Sequence, residues 1–232
     1  KLSQEELSEA KKLINCCQAY DETYRDPYLS NMLNFDTNMP AFFLYYEKGE
    51  LVGLLTVYAD DPDVELAILV HPNHRCQGIA RALYRSFEKE TASYPIESVT
   101  FQTERIFLER HPDFASNWGL VEDEETETWL GKDRRPYPLA NVSNLEVLLA
   151  DRSYQDQISQ LKFQAFSEDH ESREVVDRYV AKALKDPESL LYILLKNGQV
   201  IGTCTVDLSS NTNYLFGLAI AELERGKGYG SY

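Results

Sequence analysis

The sequence predicts two consecutive copies of one α/β unit, and three observations lead to this prediction. A short apolar run, a tight glycine-containing loop and a helical pattern follow one another in Val64–Lys89. The apolar run and the loop recur in Tyr214–Gly230. The arginines that open the two loops, Arg75 and Arg225, are 150 residues apart, which is about the length of one domain. One such loop could be an ordinary turn, whereas two at this spacing indicate a repeat.

The first copy shows the succession of strand, loop and helix most clearly. The apolar run Leu66–Val70 is short, and a proline-containing loop ends it. Apolar residues then recur at helical spacing, at Ile79, Leu83 and Phe87. The start of such a helix offers backbone N–H groups without intrahelical partners, and the helix dipole makes that end attractive to anions. Because Gly78 lacks a side chain, the loop is predicted to hold a phosphate or pyrophosphate.

The two loops share the pattern R-x-x-G-x-(G or A), and the first follows a strand that ends Val-His-Pro. This combination resembles the acetyl-CoA loop of the GNAT superfamily of N-acetyltransferases, and the resemblance covers most of the chain as two tandem copies. It implies the GNAT-like acyl-CoA N-acyltransferase fold, an α+β arrangement with a splayed mixed sheet. In that family the strand before the loop hydrogen-bonds the pantetheine arm, and the loop wraps the pyrophosphate.

The resemblance implies that acetyl-CoA, as co-substrate, gives its acetyl group to a primary amine of a small acceptor. The strand ends and loops of both copies would hold it, mainly through backbone N–H groups. In the first copy these residues are Leu69, Val70, Arg75, Cys76, Gln77, Gly78, Ile79 and Ala80. In the second copy they are Ala219, Ile220, Arg225, Gly226, Lys227, Gly228, Tyr229 and Gly230.

Acid–base residues are harder to assign than the loops. Glu65 is the candidate catalytic base, because it lies early in the strand where the family sometimes places one; the alternative is a solvent-facing strand glutamate. Counting back from the second loop places Leu215 at the matching position, so no carboxylate carries over. In the family a tyrosine often protonates the leaving thiolate. Phe114 lies near the position of that tyrosine and has no hydroxyl.

Two functional interpretations stay open on these residues. The favoured one is a tandem acetyltransferase, and the other is a catalytically degenerate pair that binds acyl-CoA or serves as a scaffold. Within the favoured interpretation the second copy is predicted to be the main catalytic one. Its loop carries three glycines against one in the first, so fewer Cβ atoms obstruct a pyrophosphate. The first copy is predicted to be mainly structural while still binding CoA.

The composition limits the classes of binding partner that the protein is expected to have. The net charge is −15 and the isoelectric point is near 4.7, which argues against nucleic acid or an anionic membrane as a partner and permits a cationic amine. A soluble acidic cytosolic protein would need no such explanation. The four cysteines form no C-x-x-C or Cys/His metal spacing, so free thiols in a reducing cytoplasm and no metal are expected. The sequence does not predict the oligomeric state.

The elements of the first copy follow from periodicity and breakers. Residues Gln4–Ala19 have a helical pattern with Ser3 as N-cap. After them the sequence predicts a hairpin, the central strand, loop and helix, a further strand, a short helix and two closing strands. The hairpin strands are Ala41–Tyr46 and Leu51–Tyr58, the further strand is Ser98–Gln102, the short helix is Arg105–Arg110, and the closing strands are Trp118–Val121 and Glu127–Leu130.

A proline- and arginine-containing stretch, Gly131–Asn144, reads as a linker, which divides the chain into domains at 1–138 and 139–232. The second copy is predicted to repeat the order with a strand, two helices and a hairpin before its own loop. These are Leu145–Leu149, Ile158–Phe166, Val175–Leu184, Leu190–Leu195 and Val200–Val206. The family pattern calls for more elements after Tyr232 and for one strand before Gln4, so we expect the sequence to be part of a longer tandem protein.

Overall fold

The computed structural model describes residues 1–122, 126–128, 130–133, 135, 144–166, 173–208 and 213–231. In these residues it contains two four-stranded sheets, one in each half of the chain. Most of the predicted linker, and the predicted boundary between positions 138 and 139, lie outside the described residues.

The first half opens with helix α1, Gln4–Asp21. Its start is stabilised by a capping box, in which the Ser3 hydroxyl accepts from the N–H of Glu6 and the Glu6 carboxylate accepts from the N–H of Ser3. The predicted N-cap is therefore confirmed. The apolar face of α1 is buried at helical spacing by Ala10, Leu13, Ile14 and Cys17.

The first sheet has the order β1-β2-β3-β4, antiparallel except for the last pair. Its strands are Phe42–Glu47, Glu50–Tyr58, Asp63–Val70 and Ser98–Phe101. Helix α2, Ile79–Thr91, is the crossover that the parallel pair requires. Leu54 packs with α1, whereas its neighbour Leu55 packs with α2, so the two helices cover opposite faces of the sheet.

Strands β3 and β4 are paired along only part of their length. The ladder runs from the Asp63–Ser98 pair to the Leu66–Phe101 pair. Residues 67–70 of β3 continue past the end of β4, so on that side they have no strand partner among the described residues. This leaves a slot in the sheet immediately before the glycine-containing loop, in agreement with the splayed sheet that the resemblance implies.

The predicted closing strands of the first copy are wrong in the described residues. After α3, Arg105–Arg110, the chain forms α4, Phe114–Trp118, and no strand is found in the described part of 119–130. Phe114 and Trp118 are four residues apart and lie on one face of the helix, with ring centroids 6.2 Å apart.

Tertiary packing explains this result. The ring of Trp118 also packs against those of Phe101 and Tyr84, with ring centroids 6.0 Å apart in both pairs. Gly119 ends the helix in the left-handed conformation. Val121 is 95% exposed and Leu130 is 93% exposed, so neither has the half-buried environment that strand residues need.

The second half repeats the plan, and its predicted elements are confirmed. Strand β5, helices α5 and α6, and strands β6, β7 and β8 follow in that order, with an all-antiparallel sheet β5-β6-β7-β8. Their bounds are Leu145–Leu149, Gln155–Phe166, Arg173–Ala183, Ser189–Lys196, Gln199–Asp207 and Tyr214–Ile220. The core is formed mainly by α5, α6 and β6, through Ile158, Val176, Val180, Leu191 and Ile193.

Strand β8 contains a β-bulge that β3 lacks. Residues 202–207 of β7 pair with the longer segment 214–220 of β8, whereas the equivalent segments of β2 and β3 have equal length. The irregularity includes Gly217, whose φ is +60°. Because of the extra residue, Tyr214 takes the place in the second sheet that Glu65 has in the first. Tyr214 pairs with Asp207 of β7, and Glu65 pairs with Tyr58 of β2. The assignment of Leu215 as the match of Glu65 is therefore wrong, since counting along the sequence cannot detect a bulge.

Candidate functional site

The first loop, Arg75–Ala80, forms a concave backbone surface that we call the first cradle. Two of its residues have left-handed conformations, Cys76 at φ +59° and Gly78 at φ +84°. The N–H groups of residues 76–81 donate to no other described residue, and helix α2 begins among them. Successive unpaired N–H groups at a helix start are a typical anion-binding arrangement.

The second loop, Arg225–Gly230, forms a second cradle with nearly the same backbone. Gly226 has φ +73° and Gly228 has φ +80°, and a short 3-10 turn precedes each cradle. The opening arginines also match, with φ and ψ of −71° and 163° at Arg75 and −67° and 158° at Arg225. The N–H groups of residues 226–230 likewise donate to no other described residue.

The arginine side chains hold the cradles in place. Nε of Arg75 donates to the carbonyl of Val70 at 3.0 Å, and Nε of Arg225 donates to the carbonyl of Ile220 at 2.9 Å. Arg75 also makes a bidentate pair with the buried Asp21, at 2.7 and 2.6 Å, and this pair raises the pKa of the guanidinium further. The guanidinium of Arg75 is therefore committed to the protein, which leaves the backbone N–H groups for a ligand.

A second contact fastens each cradle, and the carboxylate changes sides between the copies. In the first, Nδ1 of His74 lies 2.8 Å from the carboxylate of Glu47, at the end of β1. In the second, the Lys196 ammonium at the end of β6 donates to Glu224 at 2.7 Å. His74 and Glu224 each end the 3-10 turn before their loop. The same position is thus fastened by a different pair of residues.

The other residues predicted at the loops lie at the cradles, but several of their side chains face away from any ligand. Ile79 is buried in the core, and Gln77 donates to the carbonyl of Asn73. The Lys227 ammonium donates to Leu223 and Glu224, and the Tyr229 ring lies under Lys196. The remaining predicted residues are Leu69, Val70 and Ala80 around the first cradle and Ala219, Ile220 and Gly230 around the second.

The outer surface of both cradles is open. A Cβ atom built on Gly78, Gly226 or Gly228 would meet no atom within 4 Å. Together with the unpaired N–H groups and the adjacent slot beside β3, this space fits a pyrophosphate, whose oxygens only accept hydrogen bonds. The residues present therefore suit acetyl-CoA.

Glu65 lies on β3, five residues or roughly 16 Å before the strand end at the usual rise of a strand. Its carboxylate is 3.3 Å from the guanidinium of Arg25. Burial raises the pKa of Glu65, Arg25 opposes this rise, and the negative charges of Glu127 and Asp60 reinforce it. Glu65 is thus a half-buried carboxylate with a raised pKa, and it is not a freely solvated strand residue.

Tyr214 of the second half lies in the electrostatic environment of Glu65. Burial raises the pKa of Tyr214, and the charges of Glu127 and Glu65 raise it further while Arg25 lowers it. The two equivalent strand positions therefore lie within electrostatic reach of each other. Sequence reasoning missed this pairing, because the bulge in β8 hides the equivalence.

Sequence reasoning also missed Lys162. This lysine on α5 is only 5% exposed, and burial lowers the pKa of its ammonium to about 8. Its Nζ has no hydrogen-bond acceptor among the described residues, and it lies 5.5 Å from the centroid of the Tyr179 ring. The available signal was its place four residues after Ile158 on the buried face of the helix.

Two further searches concern the described residues only. They contain no group of three or more histidine, cysteine, aspartate or glutamate side chains that could hold a metal ion. None of their helices has both the length and the apolar character needed to cross a membrane. All four cysteines are free thiols.

A family model described as the acetyltransferase (GNAT) family matches residues 7–105 and 155–232, which is most of the chain. The chain belongs to the GNAT family. It is therefore a GNAT-type acetyltransferase, with one family match in each half, as the repeated loop predicts. No curated protein matches the sequence significantly.

Solved structures support the fold. A GCN5-related N-acetyltransferase from Sphaerobacter thermophilus is similar at 16% identity, over 97% of this chain and 76% of that chain, with a TM-score of 0.61. A tandem GNAT protein from the clavulanic acid biosynthesis pathway is similar at 17% identity, over 99% of this chain and 79% of that chain, with a TM-score of 0.58. At these identities the likeness shows a shared fold alone.

A reciprocal exchange tests the backbone of the cradles. We expect Cys76→Gly to raise the free energy of unfolding by about 1 kcal/mol, because a side chain in the left-handed region is strained and glycine is not. Gly226→Cys should lower it by a similar amount. Urea unfolding of both variants measures this, and unchanged midpoints in both would contradict the matched geometry.

Burial of Lys162 predicts a pH-dependent stability. Because the folded pKa is about 8 against an ordinary value of 10.5, the unfolded chain binds more protons between these pH values. The free energy of unfolding should therefore rise with pH through this window. At pH 7 the full cost is present, so Lys162→Met should stabilise the fold by about 3 kcal/mol, and this gain should vanish near pH 10.5.

The control for this measurement is Lys185→Met, which removes a charge from an exposed lysine. Denaturant unfolding of the two variants and the wild type at pH 7, 8, 9 and 10 separates the Lys162 effect from other titrating groups. A gain for Lys162→Met that is absent at pH 7, or that does not decline with pH, would show that the ammonium is not held at a cost in the folded state.

Proposed function

We propose that this enzyme transfers an acetyl group from acetyl-CoA to a primary amine of a small acceptor. The observation that supports the proposal best is the pair of cradles with matching left-handed backbone and unpaired N–H groups. A single cradle of this kind occurs in many anion sites, but here each one follows a sheet strand in a separate family match.

In this proposal the cradles bind the pyrophosphate, and the strand ends position the pantetheine arm. Acetyl-CoA supplies the thioester that carries the acetyl group. The N–H groups of residues 76–81 and 226–230 bind phosphate oxygens, and the edge of residues 67–70, which pairs with no described strand on that side, lies beside the first cradle. The arginines contribute by fixing the loops, because their Nε atoms are bonded to the strand carbonyls of Val70 and Ile220.

The acceptor side is acidic. Glu65 has a raised pKa and lies within electrostatic reach of Asp60, Asp61 and Glu127, so this region attracts a cation such as an alkylammonium. An ammonium must lose a proton before it can attack a thioester, and a carboxylate with a raised pKa can take that proton directly or through water. We therefore assign Glu65 as the catalytic base and place the acceptor amine near it, between the halves.

We further propose that the halves, 1–138 and 139–232, divide the work. The second cradle has glycine at both left-handed positions, whereas the first has Cys76 at one of them. Strand β8 also carries a bulge, which re-aims backbone groups next to a site, and β3 does not. These differences favour the second copy as the main site of turnover and the first as a mainly structural copy that still binds CoA.

A second candidate function is supported by one observation. Phe114, at the place where the family has an acidic tyrosine, lies in an aromatic cluster 5.3 Å from Phe107 and 6.2 Å from Trp118. A phenylalanine packed against rings in this way stabilises the fold and offers no proton. The first copy could thus bind acyl-CoA without turning it over, and the pair would then act as a binding module.

Valine substitutions in the cradles test the function and the division of labour. Gly78→Val and Gly228→Val each place a branched side chain in the open space of one cradle. We expect calorimetric stoichiometry for CoA to fall from two to one per chain in either variant. Gly228→Val should lower thiol release from acetyl-CoA, with a panel of small amines, by at least about 100-fold, whereas Gly78→Val should leave it within a few-fold.

Backbone strain is controlled by Gly49→Val and Gly198→Val, because these hairpin glycines have φ of +86° and +79° and equally open surroundings. Both controls should bind two CoA molecules. If Gly78→Val abolishes turnover and Gly228→Val does not, the division of labour is reversed. If wild type binds CoA but releases no thiol with any amine, the binding-module function replaces the enzyme.

A further inference from the structure

Lys162 is a buried cation whose charge is not balanced by an acid in the described structure. Its side chain points at the bulge of β8, where a Cβ atom on Gly217 would clash with Nζ. Besides Tyr179, the group that acts on it electrostatically is the thiol of Cys204 on β7. The residue as a whole is only 5% exposed, and a largely buried lysine without a protein acceptor is costly to keep charged.

The neighbouring hydroxyl of Thr205 is also unsatisfied. Thr205 is fully buried, and its Oγ1 has no hydrogen-bond partner among the described residues. It lies 4.0 Å from the position that a Cβ atom on Gly217 would take, and the same Cβ would clash with Nζ of Lys162. The Lys162 ammonium and the buried Thr205 hydroxyl thus both lie beside one glycine of one strand. Donors without an acceptor at one point indicate a missing oxygen.

The position of this pair connects it with the second cradle. Gly217 lies three residues before the end of β8, and the second cradle follows that strand. In the proposed function, a donor with its pyrophosphate in the cradle would extend its acyl arm back along the strand toward the bulge. Glycine is needed at 217 for two reasons, since its φ is +60° and Nζ fills the space of a side chain.

We propose that Lys162 is a catalytic residue of the second copy, whose ammonium, together with the Thr205 hydroxyl, donates to the acyl carbonyl oxygen of the bound thioester. This inference rests on the proposed function. As the acceptor nitrogen bonds to the acyl carbon, negative charge collects on that oxygen, and the ammonium stabilises it. When the carbonyl re-forms, the carbon–sulfur bond breaks, its electron pair leaves with CoA as the thiolate, and the thiolate takes a proton from water. The proton of Lys162 stays on Nζ, while the proton lost by the acceptor amine goes to Glu65 or to water.

The protonation states of the surroundings agree with this role. The pKa of Lys162 is about 8, so it is mostly an ammonium at neutral pH. The titratable groups that face it are Cys204 on β7 and Tyr179 on α6, and burial raises the pKa of both. Both are therefore neutral at pH 7 and do not compete with a ligand oxygen for the positive charge.

The experiment compares Lys162→Met, Lys162→Arg and Thr205→Val with wild type in the full chain. Infrared difference spectra of acetyl-CoA labelled with carbon-13 at the carbonyl report the hydrogen bond directly, without turnover. We expect the carbonyl stretch of the donor bound in the second cradle to lie at lower frequency in wild type than in Lys162→Met. Gly78→Val serves as background in all samples, so that only the second cradle is occupied.

Kinetics provide the second readout. For Lys162→Met we expect kcat for thiol release to fall about 100-fold, with the KM for acetyl-CoA within about threefold, because the interaction strengthens during transfer. Lys162→Arg should recover part of kcat and shift the alkaline loss of activity, near pH 8 in wild type, to higher pH. Lys185→Met, which loses an exposed charge, should match wild type in both readouts.

The outcomes separate this inference from the proposed function. If wild type binds acetyl-CoA and releases thiol while Lys162→Met shows the same carbonyl frequency and the same kcat, the inference is overturned and the proposed function stands. Mass spectrometry that finds an acetyl group on Lys162 itself would also overturn it, since the lysine would then be an acceptor. If wild type neither binds nor turns over acetyl-CoA, the proposed function fails and the inference fails with it.

Discussion

The whole arrangement depends on backbone N–H groups that remain unpaired at the end of a strand. In each cradle, two residues with left-handed backbone, separated by one residue, turn consecutive N–H groups to one side. Such a loop is unfavourable by itself, so other contacts must hold it. The arginine that opens each loop donates from Nε to the last carbonyl of its strand, and a charged pair fastens the preceding turn to the neighbouring hairpin. The donors are thus free because side chains stabilise the backbone.

Comparison of the halves shows which features geometry requires and which can vary. The backbone angles of the two cradles agree closely, although Cys76 in one stands where Gly226 stands in the other. The fastening pair keeps its place while the carboxylate changes sides, as Glu47 with His74 and as Glu224 with Lys196. What differs is the strand before the loop, since only β8 has a bulge. That bulge places Tyr214 at the strand position equivalent to that of Glu65, and it leaves space for the ammonium of Lys162.

Much of this could be predicted from the sequence, because the decisive signals are local. Glycine at left-handed positions, apolar runs and helical spacing identified both loops and most elements. The failures involve interactions between distant residues. Trp118 reads as part of a strand until its packing on Phe101 and Tyr84 is known. The ion pair of Arg75 with Asp21, which is far away in sequence, was not predicted, because no local pattern indicates it. Lys162 resembled any helical lysine, because only the fold shows that α5 turns it inward.

Hydrogen–deuterium exchange with and without saturating acetyl-CoA tests the central claim most directly, because it reports on the backbone N–H groups themselves. The account predicts slower exchange in segments 76–81 and 226–230 when acetyl-CoA is present, and no change in the hairpin turns at Gly49 and Gly198, which share the left-handed conformation. Unchanged exchange in both cradles under conditions where acetyl-CoA binds would contradict the account, because the ligand would then be held elsewhere.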